Sequence, residues 1–329
     1  MSIILNGDSG ITTPTTSSTG EFVTSVTGFK NRIINGAMMI DQRNAGASVT
    51  GNNSVFSVDR WKVGATQSSK FTMQQVTDAP AGFKNSLKIT SSSAYTVTSS
   101  DEFEMIQFIE GNNVADLNWG TANASAVTLS FQAKSSLTGT FGGVLYNNAA
   151  NRSYIFSYTI NSANTWESKS VTIAGDTSGT WETGTSSGIA VLFCIGAGST
   201  LLSTAGSWSS TFYRGPTGQV SVVGTNAATW QITGVQLEKG STATSFDYRP
   251  YGAELALCQR YYYNNSSAYV ALLVSGVAVT GESFPTAMRA APTVAGGGTG
   301  FTTVVTSTVG VVYYQTTTAG ASLTFTAEL

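Results

Sequence analysis

The sequence predicts an all-β fold, a sandwich or barrel of short strands, from three observations. Charged residues make up only 10% of the 329 residues, against roughly 25% in a typical soluble domain. Ser and Thr supply roughly a quarter of the chain and Gly another 35 residues, a composition suited to uncharged, solvated pleated faces and to turns. Period-2 alternation recurs along the chain between Gly/Asn/Ser turns, which is the pattern of many short strands.

Taken in order, residues 1–28 read as an extended lead-in. Gly, Thr, Ser and Pro dominate from Gly7 to Gly20, and Ile3–Ile11 suits one short strand on each side of an Asn-Gly turn. A lone hairpin is marginal, so this segment is expected to dock on a partner or on its own copies. Asn35–Arg43 with Asp59-Arg60-Trp61 is expected to form the first strand of one module, and Val235–Gly240 with Thr244–Asp247 the last, bounding it at residues 29–250. Between them, Val127–Ala133 places Val127, Leu129, Phe131 and Ala133 on one face. Trp230–Leu237 has the same period, and Ser153–Ile160 has it less cleanly. The continuous apolar run Ile189–Phe193 suits a central strand. Pro250 then precedes Leu255, Cys258, Gln259 and Tyr262 at helical spacing, so a short helix over Gly252–Tyr263 is expected within a linker, residues 251–264. Strands at Tyr269–Val274, Val277–Thr280, Val304–Thr308, Val311–Gln315 and Leu323–Thr326 would make a small β domain over 265–329. A domain that small buries a low fraction of its surface, and trimer formation would supply the missing core.

Several function classes are excluded. Net charge is −2 and no basic run exists, so no nucleic-acid partner is expected. The longest apolar runs, Ile189–Ile195 and Tyr269–Val279, are too short for a helical span, and no basic amphipathic helix is seen, so no membrane insertion is expected. The N-terminus lacks a basic segment followed by an apolar stretch, so no secretory signal is read, and release by lysis becomes a route out of the cell. The chain has no His, which removes Ser-His-Asp and Cys-His catalysis and the commonest general base. Cys194 and Cys258 are not at metal-ligand spacing and read as reduced, buried thiols, with a disulfide between them left open. Asp101, Glu102 and Glu104 are clustered, and Glu110 and Asp116 flank a turn. Paired carboxylates can hydrolyse glycans, but spacing alone specifies little and no β-helix repeat period is present, so an enzyme is not expected.

Aromatic residues are the better binding candidates, because sugars present flat C–H faces that stack on Trp and Tyr. Trp61 and Trp230 lie in strand-like segments and read as core. Trp119, Trp208 and Tyr213 lie among Gly, Ser and Asn and are the candidate glycan-binding residues, with burial the commoner fate of Trp. Tyr261-Tyr262-Tyr263 reads as packing or interface.

A resemblance sharpens these expectations. Ile109-Glu110-Gly111-Asn112-Asn113-Val114-Ala115-Asp116-Leu117 runs into Trp119-Gly120-Thr121-Ala122. Ser136–Phe141, Thr165-Trp166-Glu167, Ala174–Trp181 and Gln236–Gly240 follow. In that order these phrases resemble a module of phage tail fibres and related virion proteins, one similar to jelly-roll carbohydrate-binding modules, over residues 30–263. Phe284–Thr293 and Phe325–Leu329 resemble the ends of phage fibre proteins. The resemblance implies a jelly-roll β-sandwich between an extended N-terminal attachment segment and, after a short linking helix, a small C-terminal β tip. It implies a homotrimeric tail fibre or appendage that meets other tail or baseplate proteins through residues 1–28. Such a protein would sit in the virion tail, be extracellular after lysis, and bind host cell-surface polysaccharide without turnover. Modules of this type often hold a structural calcium ion, for which Asp41, Asp59 and Glu238 are the candidate ligands if the first and last strands lie side by side. The competing arrangement pairs Asp59 with Arg60 or Arg43, and Glu238 with Lys239 or solvent. The alternatives are a purely structural capsid or neck decoration and, more weakly, a glycan-degrading tailspike.

Overall fold

The computed structural model describes residues 4–6, 10–12, 30–265, 278–296, 301–315 and 323–329. The chain divides into two compact units, Met1–Lys30 and Asn31–Leu329. In the first, Ile4–Asn6 and Gly10–Thr12 pair antiparallel with Ile4 opposite Thr12.

The second unit is built on eight strands: β1 (Ser86–Ser91), β2 (Glu102–Glu110), β3 (Val127–Ser135), β4 (Gly139–Tyr146), β5 (Ser153–Ile160), β6 (Glu167–Ile173), β7 (Ser187–Ala197) and β8 (Thr229–Lys239). They pair antiparallel from the outside inward: β1 with β8, β2 with β7, β3 with β6 and β4 with β5. That is one long hairpin rolled up on itself. Further pairing of β3 with β8 and β4 with β7 gives two sheets in the orders β6-β3-β8-β1 and β5-β4-β7-β2. This is jelly-roll topology. Phe71–Val76 and Val49–Thr50 extend the first sheet to six strands. Lys62–Ala65 and Val55–Phe56 at one edge, and Trp208–Ser209 at the other, extend the second to seven.

Alternation decides which residues meet between the sheets. In β3, Val127, Leu129, Phe131 and Ala133 enter the main core, leaving Ser130, Gln132 and Lys134 on the outer face. β7 is buried on both faces: Ile189, Val191, Phe193 and Ile195 point into the main core, and Ala190, Leu192 and Cys194 into a second apolar cluster on the outer side. Its sequence is therefore a continuous apolar run rather than an alternating one. Phe193 sits at the centre, with the rings of Phe131, Phe156, Trp230 and Trp61 at 5.1, 5.7, 5.8 and 6.3 Å. Aromatic pairs at such distances add about 0.5–1.5 kcal/mol each beyond area burial.

The segment from Asn31 to Arg43, expected as the first strand, lies beside β8 but is not a strand. Arg32 N–H donates to Leu237 O (2.9 Å) and Val235 N–H to Gly36 O (2.9 Å). Between these contacts the chain turns, with Asn35 and Met38 at φ 58° and 55°. Asn35 replaces the missing ladder with its own amide, which donates to Ile40 O and Asp59 O and accepts from Ile40 N–H. The residue after it must be small, because a Cβ on Gly36 would stand 2.1 Å from Val235 O.

Helix Tyr251–Gln259 follows Pro250 and is shorter than the expected Gly252–Tyr263, because Tyr262 leaves it to pair with Thr326. Leu323–Thr326 is the middle strand of a three-stranded sheet with Tyr262–Asn265 and Thr293–Gly296, and Gly310–Gln315 is the middle strand of another with Ala278–Ser283 and Phe301–Thr306. The expected strand Tyr269–Val274 lies outside the described residues. The C-terminal segment is tied back to the jelly roll by charge. The Glu328 carboxylate accepts from Arg43 (3.0 Å) and Arg60, whose guanidinium groups lie 3.6 Å from the Tyr262 and 3.4 Å from the Tyr261 ring centroid, respectively. Both cysteines are free and buried.

Gly36→Ala is expected to cost about 3 kcal/mol of unfolding free energy, since backbone must move to admit the methyl. Urea denaturation measures it, with Gly240→Ala, where a Cβ would meet nothing within 4 Å although φ is +119°, as a milder comparison.

Candidate functional site

The jelly roll offers two outer sheet faces, and the chain treats them differently. The seven-stranded sheet is crossed by a strap, residues 198–219. Leu202–Ser203 and Gly215–Pro216 pair within it, Gly206 N–H donates to Ile155 O (2.9 Å), and Phe212 packs on Tyr146 with ring centroids 4.3 Å apart. Arg214 of the strap binds Glu102 (2.5 Å) and Glu104 (3.1 Å) of β2, and Gln219 donates to Cys194 Sγ (2.8 Å). Burial outweighs the Arg214 guanidinium and pushes Glu104 up to about 8, with Glu102 adding like-charge repulsion. Burial also pushes the Cys194 thiol up to about 12, which leaves it inert near neutral pH.

The six-stranded sheet keeps an open cleft of about 400 Å³ on its outer face, within the size range of small-ligand sites. Its floor comes from β3 and β6: Ser130 and Gln132 on one strand, Ser168 and Ser170 on the next, with Gln132 opposite Ser168 and Ser130 opposite Ser170. The Gln132 amide donates to Ser168 Oγ at 2.8 Å. Its wall is aromatic. Phe83, Phe246 and Tyr248 form a mutual cluster with ring centroids 4.9–5.5 Å apart. Tyr248 is 56% exposed, and its hydroxyl is anchored to Gly82 O (2.6 Å).

The wall depends on an irregularity in β8. The β8–β3 register shifts between Thr233 and Gln236, where Gly234 takes φ 62°. A Cβ at Gly234 would lie 2.6 Å from Phe83 Cζ, so only glycine lets that ring approach the strand this closely. The segment carrying Phe246 is pinned by the floor of the sheet: Glu238 accepts from Thr244 N–H (2.9 Å) and Oγ1 (2.7 Å), and Gln236 Oε1 accepts from Asp247 N–H (2.8 Å). Among the described residues no Asp or Glu lines the cleft.

Of the residues singled out from sequence, Trp119 and Trp208 do meet, joined by Trp181, with centroids 4.7–5.5 Å apart in edge-to-face geometry. Each indole N–H is used internally: Trp119 on Ser125 O (2.7 Å), Trp208 on Ala174 O (2.8 Å) and Trp181 on Ser178 O (3.1 Å). Trp119 is 8% exposed, and the crevice beside it and Trp181 measures about 160 Å³. The cluster mainly fastens loops at one end of the sandwich. Tyr213 lies apart from it, packed in the strap over the seven-stranded sheet.

The three candidate calcium ligands do not converge. Asp41 accepts from Asn44 N–H (2.9 Å) and Gly46 N–H (2.7 Å). Asp59 is fully buried, accepts from Gln42 and pairs with Arg43 (3.2 Å); burial lifts it to about 6 against that cation. Glu238 is spent on Thr244. Among the described residues no group of three acidic, His or Cys side chains is placed to hold an ion.

The clustered carboxylates also have structural work. Asp101 accepts from Thr98 N–H and Oγ1, Tyr95 and Thr66, and these bonds hold it well below the usual carboxylate range. Glu110 binds Arg260 (2.9 Å) and the Tyr261 hydroxyl (2.6 Å). Asp116 pairs with Arg32 (2.9 Å). None of them lines the cleft.

No protein-family model matches the chain, and no curated protein matches it. Among solved structures, it is similar to a candidate sugar-binding protein from Bacteroides thetaiotaomicron (14% identity, 64% of this chain and 100% of that one, TM-score 0.39). It is also similar to the family 11 carbohydrate-binding module of Clostridium thermocellum in complex with a β-1,3-1,4-mixed-linked tetrasaccharide (12% identity, 60% and 98%, TM-score 0.30). A third is the enzymatically active domain of tailspike protein 4 of bacteriophage CBA120 (16% identity, TM-score 0.33). There the match covers 57% of this chain and 21% of that one. The jelly-roll assignment rests on the strand pairing itself.

Glu104 gives a pH test of the strapped face. Its folded pKa, about 8, stands above the ordinary value of 4.5. The stability it contributes is therefore fully present below about pH 4.5 and lost as pH rises through 8, on the order of 2 kcal/mol between pH 6 and 8. Thermal unfolding of Glu104→Gln across that interval is expected to be flatter than that of the parent; parallel curves would mean Glu104 is ionised throughout.

Proposed function

We propose that this chain is a virion appendage protein that recognises a host-surface glycan without turning it over, through the cleft on the six-stranded sheet. The observation that carries the proposal is the composition of that cleft. An aromatic wall of Phe83, Phe246 and Tyr248 stands over a floor of hydroxyls and a carboxamide, which matches a sugar ring's apolar face and polar rim. Among the described residues the cleft lining holds no pair of carboxylates of the kind glycan hydrolysis uses, which supports adhesion over hydrolysis.

The virion assignment is supported by the ordered phrases that resemble those of phage fibre proteins and by the low-charge, hydroxyl-rich composition. In this role residues 1–28 attach the protein to other tail or baseplate components, and three copies associate through the C-terminal region. Trimerisation would also make individually weak sugar contacts sufficient, since linked sites raise avidity without new contacts.

On a glycan array, Phe246→Ala and Gln132→Ala are expected to weaken binding at least about tenfold, or 1.4 kcal/mol, while leaving the unfolding midpoint near that of the parent. Trp119→Ala should do the reverse, destabilising by about 3 kcal/mol through cavity formation while its folded fraction still binds. Unchanged binding in both cleft variants would sink the assignment of the site. Electron microscopy of particles should place the protein on the tail; a head position would favour decoration instead.

A further inference from the structure

The cleft floor continues one row beyond its aromatic wall. Along a strand, successive residues on the same face are about 7 Å apart, so Lys134 follows Gln132 on β3, and Trp166 precedes Ser168 at the start of β6. Trp166 is half-buried, and Lys134 Nζ lies 5.2 Å from its ring centroid. Asp78, from the loop between Phe71–Val76 and β1, closes this row. Its Oδ2 accepts from Lys134 Nζ and from Gln231 Nε2 (3.2 Å), and its Oδ1 from Trp166 Nε1 at a long 3.4 Å.

The cluster stands half in the sheet and half in solvent: the Lys134 side chain is 14% exposed, and Asp78 also accepts from the amide of the buried Gln231. The Asp78 side chain is 53% exposed, and ion pairs that open contribute about 0–1 kcal/mol. What the cluster does provide is an aromatic surface beside a fixed carboxylate and an ammonium group. The carboxylate accepts from hydroxyls and the ammonium donates to them. Hydrogen bonds from Lys134 and Gln231 hold Asp78 below the usual carboxylate range, which favours the charged acceptor. The charges of Asp78 and Lys134 cancel, and Lys169 in the cleft lining is paired with Glu167 (2.5 Å), which favours an uncharged ligand over a uronic or sialic acid.

We propose that Trp166, Asp78 and Lys134 form a second sugar subsite, adjoining the first along the strand direction. The cleft then takes a neutral oligosaccharide chain, with the Phe83/Phe246/Tyr248 wall holding one residue and Trp166 a later one. This rests on the glycan-binding reading of the cleft and specifies its ligand as linear, uncharged and longer than one sugar.

The test is calorimetric titration of the full chain with neutral gluco-, galacto- and manno-oligosaccharides of one to six residues. In the parent, affinity should climb with length and then level off once both subsites are covered. Trp166→Ala should lose about tenfold for the longest chains while binding the shortest as the parent does, and Trp166→Phe should restore most of the loss. Phe246→Ala should weaken every length. If Trp166→Ala binds the longest chains as tightly as the parent, or weakens all lengths equally, the second subsite is overturned while the cleft stands. If the parent binds none of the panel, the neutral-glycan cleft falls, and the subsite with it.

Discussion

Asn35 joins its own turn to two stretches of chain that the sequence holds far from it, residues 59–61 and the helix that carries Glu254. Its N–H donates to the Glu254 carboxylate, its carbonyl accepts from Trp61 Nε1 (3.1 Å), and its side-chain amide bonds Ile40 and the Asp59 carbonyl. All these groups are buried, where each polar atom left without its partner costs about 1–3 kcal/mol. The left-handed backbone at Asn35 suits Asn better than most residues, and the close approach of Val235 O excludes any side chain at the next position. The consequences run outward. Trp61 is oriented into the core against Phe193. Glu254 sets the helix, and the helix delivers Tyr261 and Tyr262 to the arginines that also hold Glu328. One corner thus fixes where the jelly roll closes and where the C-terminal strands begin.

The rolled hairpin then leaves two outer faces with different fates. On the seven-stranded sheet the outward residues of β7 are apolar, and exposing Ala190, Leu192 and Cys194 would be unfavourable; the 198–219 strap covers them and brings a cation to the buried Glu104. On β3 and β6 of the six-stranded sheet the outward residues are Ser, Thr, Gln and Lys, which need no cover. The proposed ligand recognition therefore uses the second face, where the glycine irregularity in β8 lets one aromatic ring settle against an otherwise hydrophilic floor. The same outward polarity that keeps the face soluble supplies its hydrogen-bonding groups.

Strands that alternate or run continuously apolar were legible in the sequence: Ser153–Ile160 has the predicted bounds, and Val127–Ala133 lies within β3 with the expected residues inward. The Asn35–Arg43 phrase was read as a strand, but its conformation was not readable, because an Asn side chain there substitutes for strand pairing. The cleft was less visible still. Phe83 and Phe246 lie more than a hundred and sixty residues apart, on loops whose approach is set by Gly234 and by the Gln236 and Glu238 side chains. Trp119 and Trp208 drew attention for their loop-like surroundings, yet those loops are tied down by the indoles themselves. Two local signs pointed toward the cleft: the polar alternation Ser130-Phe131-Gln132 and the aromatic pair Phe246 and Tyr248 after a Ser/Thr stretch.

Hydrogen exchange of the full chain, followed by mass spectrometry with and without the tightest-binding oligosaccharide, tests the central claim most directly. Recognition at the cleft predicts slowed exchange in peptides covering residues 127–135, 166–173 and 240–249, with the strap unchanged. Protection confined to residues 198–219, or to the Trp119 and Trp181 loops, would contradict it.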